Sequence, residues 1–256
     1  MSHAIKRMPA ILIVSSLTSA LACVAQDAPR AATATKPATT QAAVYEYRPA
    51  SRDGIGKFYM GREIAHFMSH RGADWLERPE REEEEKPQLL VESIGLQPTD
   101  VVADIGVGSG YFAFRIAPLV PRGKVLGVDI QQEMLDLLSQ AAKERGVTNV
   151  QPVLGTTADP KLPKAGVDVV LMVDAYHEFD KPREMMAAVV ESLKPGGRVV
   201  LVEYRAEDPA VPIKPLHKMT AAQAVAEMTA AGLSHVETKD VLPRQHLMIF
   251  QKPPSR

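Results

Sequence analysis

Cysteine is nearly missing from this chain. Of 256 residues only Cys23 is one, so no internal disulfide can form, and cysteine usage neither demands nor forbids an oxidising compartment. An excess of either charge is also missing: 30 Lys and Arg stand against 31 Asp and Glu, a net charge of -1. That balance gives no electrostatic footprint for nucleic acid, and none is expected as a partner. No internal repeat is visible. The most apolar run, Met8 to Ala25, falls short of the ~20 residues a spanning helix needs. What remains is a length that fits one medium domain plus extras.

The apolar run has features of its own. Lys6 and Arg7 precede it, and it ends in Ala20-Leu21-Ala22-Cys23. A basic region, a short apolar core and small residues before a cut site predict an export signal over residues 1–25. Leu21-Ala22-Cys23 also resembles the bacterial lipoprotein box, in which Cys23 is lipidated and anchors the protein to a membrane. The expectation is therefore a location in the cell envelope, periplasmic or membrane-anchored. An uncleaved anchor or a misassigned start codon are the alternatives, and without a true signal the chain is cytoplasmic. Residues 26–50 are mostly Ala, Thr and Pro with no apolar periodicity. They cannot bury enough surface to offset their ordering entropy, which predicts a disordered linker.

Residues 51–97 read as a helical cap. Ile64, Phe67 and Met68 share one face of a helix over Lys57–Ser69. Arg78-Pro79-Glu80 opens a second helix that runs through the acids Glu82–Glu85 to Ile94 and stops at Gly95, with Pro and acids in its first turn. The acidic run reads as a solvated face, helped by a pair such as Glu82 with Lys86. Residues 98–252 then alternate strand and helix. Strands are expected at Val101–Ile105, Lys124–Asp129, Val150–Leu154, Val167–Val173 and Arg198–Tyr204. Helices are expected at Tyr111–Ala117, Gln131–Arg145, Pro182–Leu193 and Ala221–Ala231. The strands are near-continuous apolar runs, as in a parallel sheet covered on both faces. Ser234–Val241 and Gln245–Gln251 are joined by three residues, Leu242-Pro243-Arg244, and so must pair antiparallel.

Glycine is placed where chemistry would need it. In Val101-Val102-Ala103-Asp104-Ile105-Gly106-Val107-Gly108-Ser109-Gly110 a strand ends on an acid, and glycine then recurs at every second position. Backbone without Cβ can approach a ligand closely. Tyr111 stands where a dinucleotide enzyme has its third glycine, so a nicotinamide oxidoreductase conflicts with the spacing. This loop resembles motif I of the class I S-adenosylmethionine-dependent methyltransferases. The resemblance covers about Leu89 to Gln251, because Asp129 ends the second strand and Leu193-Lys194-Pro195-Gly196-Gly197 precedes the fifth in the same order. It implies a three-layer Rossmann-like α/β fold: a seven-stranded, mostly parallel sheet with an antiparallel C-terminal hairpin and helices on both faces. It implies S-adenosylmethionine as cofactor. Its binding residues would be Asp104, Gly106, Val107, Gly108, Gly110, Asp129, Ile130, Met134, Thr156 and Asp174. Asp129 would grip the ribose, or it would simply cap the next helix. Relatives often carry an acid where this chain has Thr156, so adenine is met there by Thr156 or by Asp159 reaching over.

For the reaction, Asp174, His177 and Glu178 follow the fourth strand and are the candidate catalytic residues. His177-Glu178 does not begin a zinc-protease motif, since Lys181 stands where the second histidine must be. Glu63, His66 and His70 share a predicted helical face but lack a paired ligand cluster, and no metal site is expected. The long link after Tyr204 carries Arg205, Lys214, His217 and Lys218, which either meet an anionic acceptor or are surface charge. Tyr59 and Trp75 are expected to close over the acceptor. Asn-Pro-Pro-Tyr is absent after the fourth strand, which disfavours amino-group methylation, and one cysteine is too few for arsenite methylation. The acceptor expected is a small molecule. The alternative is a methyltransferase fold retained in the envelope as a non-catalytic binding module.

Overall fold

A computed structural model describes residues 44–254. The expected export segment over residues 1–25, Cys23 and most of the expected linker lie outside the described residues. Among the described residues no helix is long and apolar enough to cross a membrane.

The chain opens with a three-stranded antiparallel sheet, β1 (Tyr45–Tyr47), β2 (Gly54–Tyr59) and β3 (Arg62–Ala65). This corrects the helix expected over Lys57–Ser69. Met60 and Gly61 both take positive φ, 48° and 89°, and Tyr59 pairs directly with Arg62 across them. Such a two-residue turn matches strand twist and forces a hairpin. The helical spacing of Ile64, Phe67 and Met68 is a coincidence that the turn overrides. The folded part also begins earlier than Ser51. Tyr45 pairs with Tyr59, the Lys57 ammonium sits 4.1 Å over the Tyr45 ring, and Arg48 N–H donates to the Gly56 carbonyl at 2.9 Å. The end of the expected linker is therefore an edge strand.

Next come α1 (Ala73–Leu76), α2 (Arg81–Glu85) and α3 (Pro87–Ser93). The single helix expected from Arg78 to Ile94 is broken at Lys86, which adopts φ 49° and ψ 58°. Pro87 clashes with a helical residue before it and then serves as the first residue of α3. The break also redirects the acids. Glu82 pairs with Arg115 rather than Lys86, and Glu85, far from solvated, is fully buried.

The remainder is the alternating unit: β4 (Val101–Ile105), α4 (Ala113–Ile116), β5 (Lys124–Asp129), α5 (Gln132–Arg145), β6 (Val150–Leu154), β7 (Val167–Val173), α6 (Pro182–Ser192), β8 (Leu193–Tyr204), α7 (Ala221–Ala230), β9 (Ser234–Lys239) and β10 (Gln245–Gln251). The sheet order is β6-β5-β4-β7-β8-β10-β9. The first five strands are parallel, and β10 runs antiparallel to both β8 and β9. The expected seven-stranded Rossmann-like sheet is what forms. Alternate residues feed two cores. Val102, Val169 and Val200 pack with α3, α4 and α5, while Ala103, Val170 and Leu201 face α6 and α7. Burial on both sides is why these strands read as unbroken apolar runs.

Gly110 marks the tightest approach of helix to sheet. Its φ is +94°, and a Cβ there would lie 2.5 Å from both Leu138 Cδ1 and Phe114 Cε2. Gly110→Ala combines a disfavoured backbone with overpacking and is expected to destabilise the domain by at least about 2 kcal/mol. A lowered urea midpoint with an unchanged m-value checks this.

Candidate active site

Strand order reverses beside β4, since β5 and β6 extend to one side and β7 and β8 to the other. Open α/β sheets bind ligands in the crevice at that point, beyond the carboxyl ends of the strands. A cleft of about 990 Å³ opens there, lined from the sheet by Gly106, Gly108, Asp129, Met134 and Asp174.

The glycine loop is fixed by the neighbouring strand. Gly106 and Val107 N–H both donate to the Val128 carbonyl, at 2.9 and 3.0 Å. Gly108 N–H donates to Asp129 Oδ2 at 3.1 Å, and Gln131 N–H to Oδ1 at 2.9 Å. The bond to Gln131 closes a turn just before α5, whose N-cap is Gln131 and carries no side-chain capping bond, so Asp129 is not the helix cap. Each of its oxygens keeps a second lone pair for a ligand hydroxyl. Burial raises its pKa, opposed by the amides of Gln131, Gly108 and Ile130. Gly106 and Gly108 take positive φ, +79° and +54°, a conformation that favours glycine irrespective of any ligand.

Of the expected cofactor residues, Gly106, Gly108, Asp129, Ile130, Met134 and Asp174 line the cleft. Val107 and Gly110 do not; both are buried and pack into the core. Thr156 is also turned away. Its hydroxyl accepts from the Ala158 and Asp159 amides at 3.3 and 3.0 Å, and Asp159 pairs with Lys161 at 2.7 Å. Neither reaches over to the cleft, which on this side is lined by Thr157. The loop consumes both polar groups because a serine or threonine turn satisfies its own backbone.

Asp104 lies behind the loop, 3% exposed. Burial pushes its carboxyl up to about 7, with Arg81 opposing and Asp129 adding to the rise. Asp174, at φ 49°, is raised well above the carboxylate range by burial and by the charges of Glu85 and Glu203. Gln245 Nε2 donates to its Oδ2 at 2.6 Å, while Oδ1 is buried without a partner. Such surroundings favour the protonated form over the charged one.

The cap closes the front. Gln131 accepts from His70 N–H at 2.8 Å and donates to the Met68 carbonyl at 3.0 Å, holding His66, Phe67 and Met68 over the cleft. Trp75 lines it as expected, whereas Tyr59 is buried inside the cap. Sequence reasoning missed the cap's ionic anchor. Glu85 is fully buried and bonded to Arg78 at 2.5 Å, Arg81 at 2.7 Å and the Tyr204 hydroxyl at 2.6 Å. Burial raises its carboxyl, but Arg81, Tyr204 and Arg78 outweigh burial and hold it below the usual range. Arg81 also faces the cleft.

The candidate catalytic residues do converge. His177 is 2% exposed, with Nδ1 at 2.6 Å from Glu203 Oε2 and Nε2 at 3.1 Å from His217 Nδ1. Burial disfavours the imidazolium, yet the Glu203 carboxylate outweighs burial and raises the histidine pKa. Glu178 completes the group, its Oε1 lying 3.4 Å from His217 Nδ1. The ligand-type atoms of His177, Glu178 and His217 lie within 4.8 Å of one another. Glu63, by contrast, sits on a strand and accepts from the Ser51 and Gly56 amides at 3.0 and 3.1 Å, so the face imagined with His66 and His70 does not exist. Glu203 had a signal in the sequence: a lone acid directly after Val199-Val200-Leu201-Val202, still within the strand, must have a buried partner.

The long link meets the cleft only in part. Arg205 is drawn off to Asp240 and the Pro243 carbonyl, and Lys218 donates to the Asp208 and Val211 carbonyls. Lys214 pairs with Asp53 at 2.8 Å at the rim. Asp53, Asp129, Asp174, Glu178 and Asp180 all line the space, so it holds more carboxyls than cations and does not suit a free anion.

Fold and crevice together define a nucleotide-type cofactor domain of the doubly wound class. Residues 102–197 match the family described as "Methyltransferase domain". Among curated relatives, the uncharacterized methyltransferase YcgJ of Bacillus subtilis is 33% identical over 124 residues, covering 48% of each chain. The uncharacterized methyltransferase YdaC of the same organism is 25% identical over 66% of this chain and 91% of its own. The chain therefore spans about half of the first relative and nearly all of the second. A solved S-adenosylmethionine-dependent methyltransferase from Aquifex aeolicus superposes with a TM-score of 0.69 and 20% identity, over 73% of this chain and all of that one. Residues 102–197 thus match a methyltransferase domain, and the fold is that of S-adenosylmethionine-dependent methyltransferases, whose cofactor is S-adenosylmethionine. The cleft fits it. Apolar Ile130 and Met134 border Asp129, whose free lone pairs suit vicinal hydroxyls, and the carboxyls suit a cation.

Asp104 makes the domain's stability depend on pH. Its folded pKa of about 7 lies above the unfolded one, so its contribution is fully present below about pH 4 and is lost as pH rises to about 7. The slope approaches about 1.4 kcal/mol per pH unit within that window. Thermal melts of the cofactor-free protein should show this decline flattened in Asp104→Asn, and a decline identical to the parent's would refute the assignment.

Proposed function

We propose that this protein transfers a methyl group from S-adenosylmethionine to a small-molecule acceptor by in-line displacement. The observation that carries the reading is the Asp129 carboxylate, which locks the glycine loop to the end of β5 while keeping lone pairs directed at the cleft. When bound, S-adenosylmethionine supplies an electrophilic methyl group on a sulfonium. Asp129 holds the ribose hydroxyls, and the Gly106–Gly108 backbone lets the cofactor lie close to the loop. Asp174, whose pKa is raised by burial, lines the same cleft. Phe67, Met68 and Trp75 exclude water, which methyl transfer needs along with proximity and alignment. His177, Glu178 and His217 lie where an acceptor proton would be taken up. Family membership supplies an acceptor but does not select its kind. The small-molecule reading rests on a covered, largely apolar cleft and a net charge of -1. The cleft that opens beside the glycine loop, with Asp129, His177 and Glu178 in its wall, favours catalysis over the binding-module alternative.

Calorimetric titration should show S-adenosylmethionine binding to the parent. Asp129→Ala should weaken it by at least about 100-fold, because charge-assisted hydrogen bonds contribute about 1.5–3 kcal/mol each. No binding by the folded parent would sink the proposal.

The proposed place of action is the cell envelope, on the evidence of Lys6, Arg7, the Met8–Ala25 run and Leu21-Ala22-Cys23. In bacterial cells, radiolabelled palmitate should enter the parent chain and not Cys23→Ser. Equal labelling of the two, or none in the parent, would remove the lipid anchor.

A further inference from the structure

Three ligand-type atoms meet at the cleft wall. His177 Nε2 and His217 Nδ1 are 3.1 Å apart, His217 Nδ1 and Glu178 Oε1 3.4 Å, and His177 Nε2 and Glu178 Oε1 3.8 Å. An ion bound tetrahedrally at about 2.0–2.1 Å places its ligands about 3.3–3.4 Å from one another. Neighbouring ligands of an octahedral ion at the same bond length lie at about 3.0 Å. The observed separations bracket the tetrahedral value, and none falls below the octahedral one.

The surroundings are built for ligation as well. His177 faces Glu203 through Nδ1, at 2.6 Å, which turns Nε2 toward His217 Nδ1. Metal-bound histidines commonly carry such a carboxylate on the far nitrogen. Glu178 has its other oxygen, Oε2, held by Met68 N–H at 3.1 Å, so Oε1 is aimed and unshared. His217 ends a one-turn 3₁₀ segment, Pro215–His217, closed by its own N–H to the Lys214 carbonyl at 3.0 Å. The loop behind it is pinned at its base, with Met219 N–H on the Tyr204 carbonyl at 3.0 Å and Ala206 N–H on the Met219 carbonyl at 3.2 Å. On the other side, Arg62 donates to the His177 carbonyl at 3.0 Å and Lys57 to that of Asp180 at 2.6 Å. Both flanks of the cluster are thus fixed before any ion arrives. All three residues line the same cleft as Asp129.

We propose that His177, Glu178 and His217 bind one zinc-class divalent cation, with a fourth coordination position open to the cleft, and that this position receives the heteroatom of the methyl acceptor. Two neutral imidazoles and one carboxylate leave the ion with a net positive charge, which lowers the pKa of a bound thiol or hydroxyl. An acceptor X–H coordinates through X and releases its proton to water. The lone pair of X then forms the bond to the methyl carbon as the carbon–sulfur bond breaks, its electron pair returning to sulfur to give a neutral thioether. This scheme admits a neutral acceptor to an acidic cleft and makes it anionic only at the ion. The metal site stands on its own geometry; its part in the reaction rests on the methyl-transfer reading.

The test uses the full chain, stripped with a chelator and titrated with Zn²⁺, and with Co²⁺ as a visible reporter of tetrahedral geometry. One ion per chain is expected, together with a tetrahedral cobalt spectrum. His217→Ala and Glu178→Gln should each weaken binding by at least 100-fold. Glu203→Gln, which keeps the ligands and alters only the partner of Nδ1, should weaken it by about 10–100-fold. His235→Ala, on the exposed edge strand β9, should bind as the parent does. S-adenosylmethionine affinity is measured on the same samples. Cofactor binding without uptake of either metal overturns the metal site and leaves the methyl-transfer reading standing. Metal uptake without cofactor affinity supports the site and removes the reaction assigned to it. Metal uptake undiminished in His217→Ala overturns the proposed ligand set.

Discussion

The site depends on how the tip of β4 is tied to the tip of β5. Three polar contacts join them, from Gly106 and Val107 to the Val128 carbonyl and from Gly108 to the Asp129 carboxylate. Because these strands are adjacent and in register, the tie lets the chain leave the sheet in a left-handed loop without losing hydrogen bonds. Everything at the crevice takes its position from that loop. Leu76 of the cap packs against Gly108, Ala175 of the next strand's exit lies against Gly106, and α4 and α5 close on Gly110.

A second constraint is electrostatic. The cap carries Arg78, Arg81 and Glu85 into the interior, where they meet Tyr204 and approach Asp174. A buried carboxylate with two guanidiniums and a phenol is satisfied as a unit, and removing one member leaves the others charged and dry, a loss of about 3–5 kcal/mol. Burial and the nearby charges of Glu85 and Glu203 raise the pKa of Asp174 beside this group. The cap is therefore part of the site's charge balance and not a simple cover.

Most of the α/β unit was legible because its signals are local and repeated. Unbroken apolar strands, helices stopped by glycine and a three-residue link before β10 each imply one arrangement. The acid ending each strand and the alternating glycines likewise placed the crevice. The cap was not legible, since its helical spacing was accidental and a turn at Met60-Gly61 outweighed it. The break at Lys86 was written in Pro87 but hidden by the strong helical preference of the acids around it. Thr156 failed for a different reason: a hydroxyl can serve its own loop as readily as a ligand, and residue type does not distinguish the two. The pairing of His177 with His217, forty residues apart, depended on a loop whose course only tertiary contacts decide.

The ion pairs seating the cap differ in how far they are sheltered. Arg62 and Glu227 are held by two hydrogen bonds with the carboxylate wholly buried, while Lys214 and Asp53 meet at the rim with the lysine 64% exposed. Dissolved salt screens the second pair far more than the first. The rim is accordingly the side of the cover whose ion pair weakens first as salt is added.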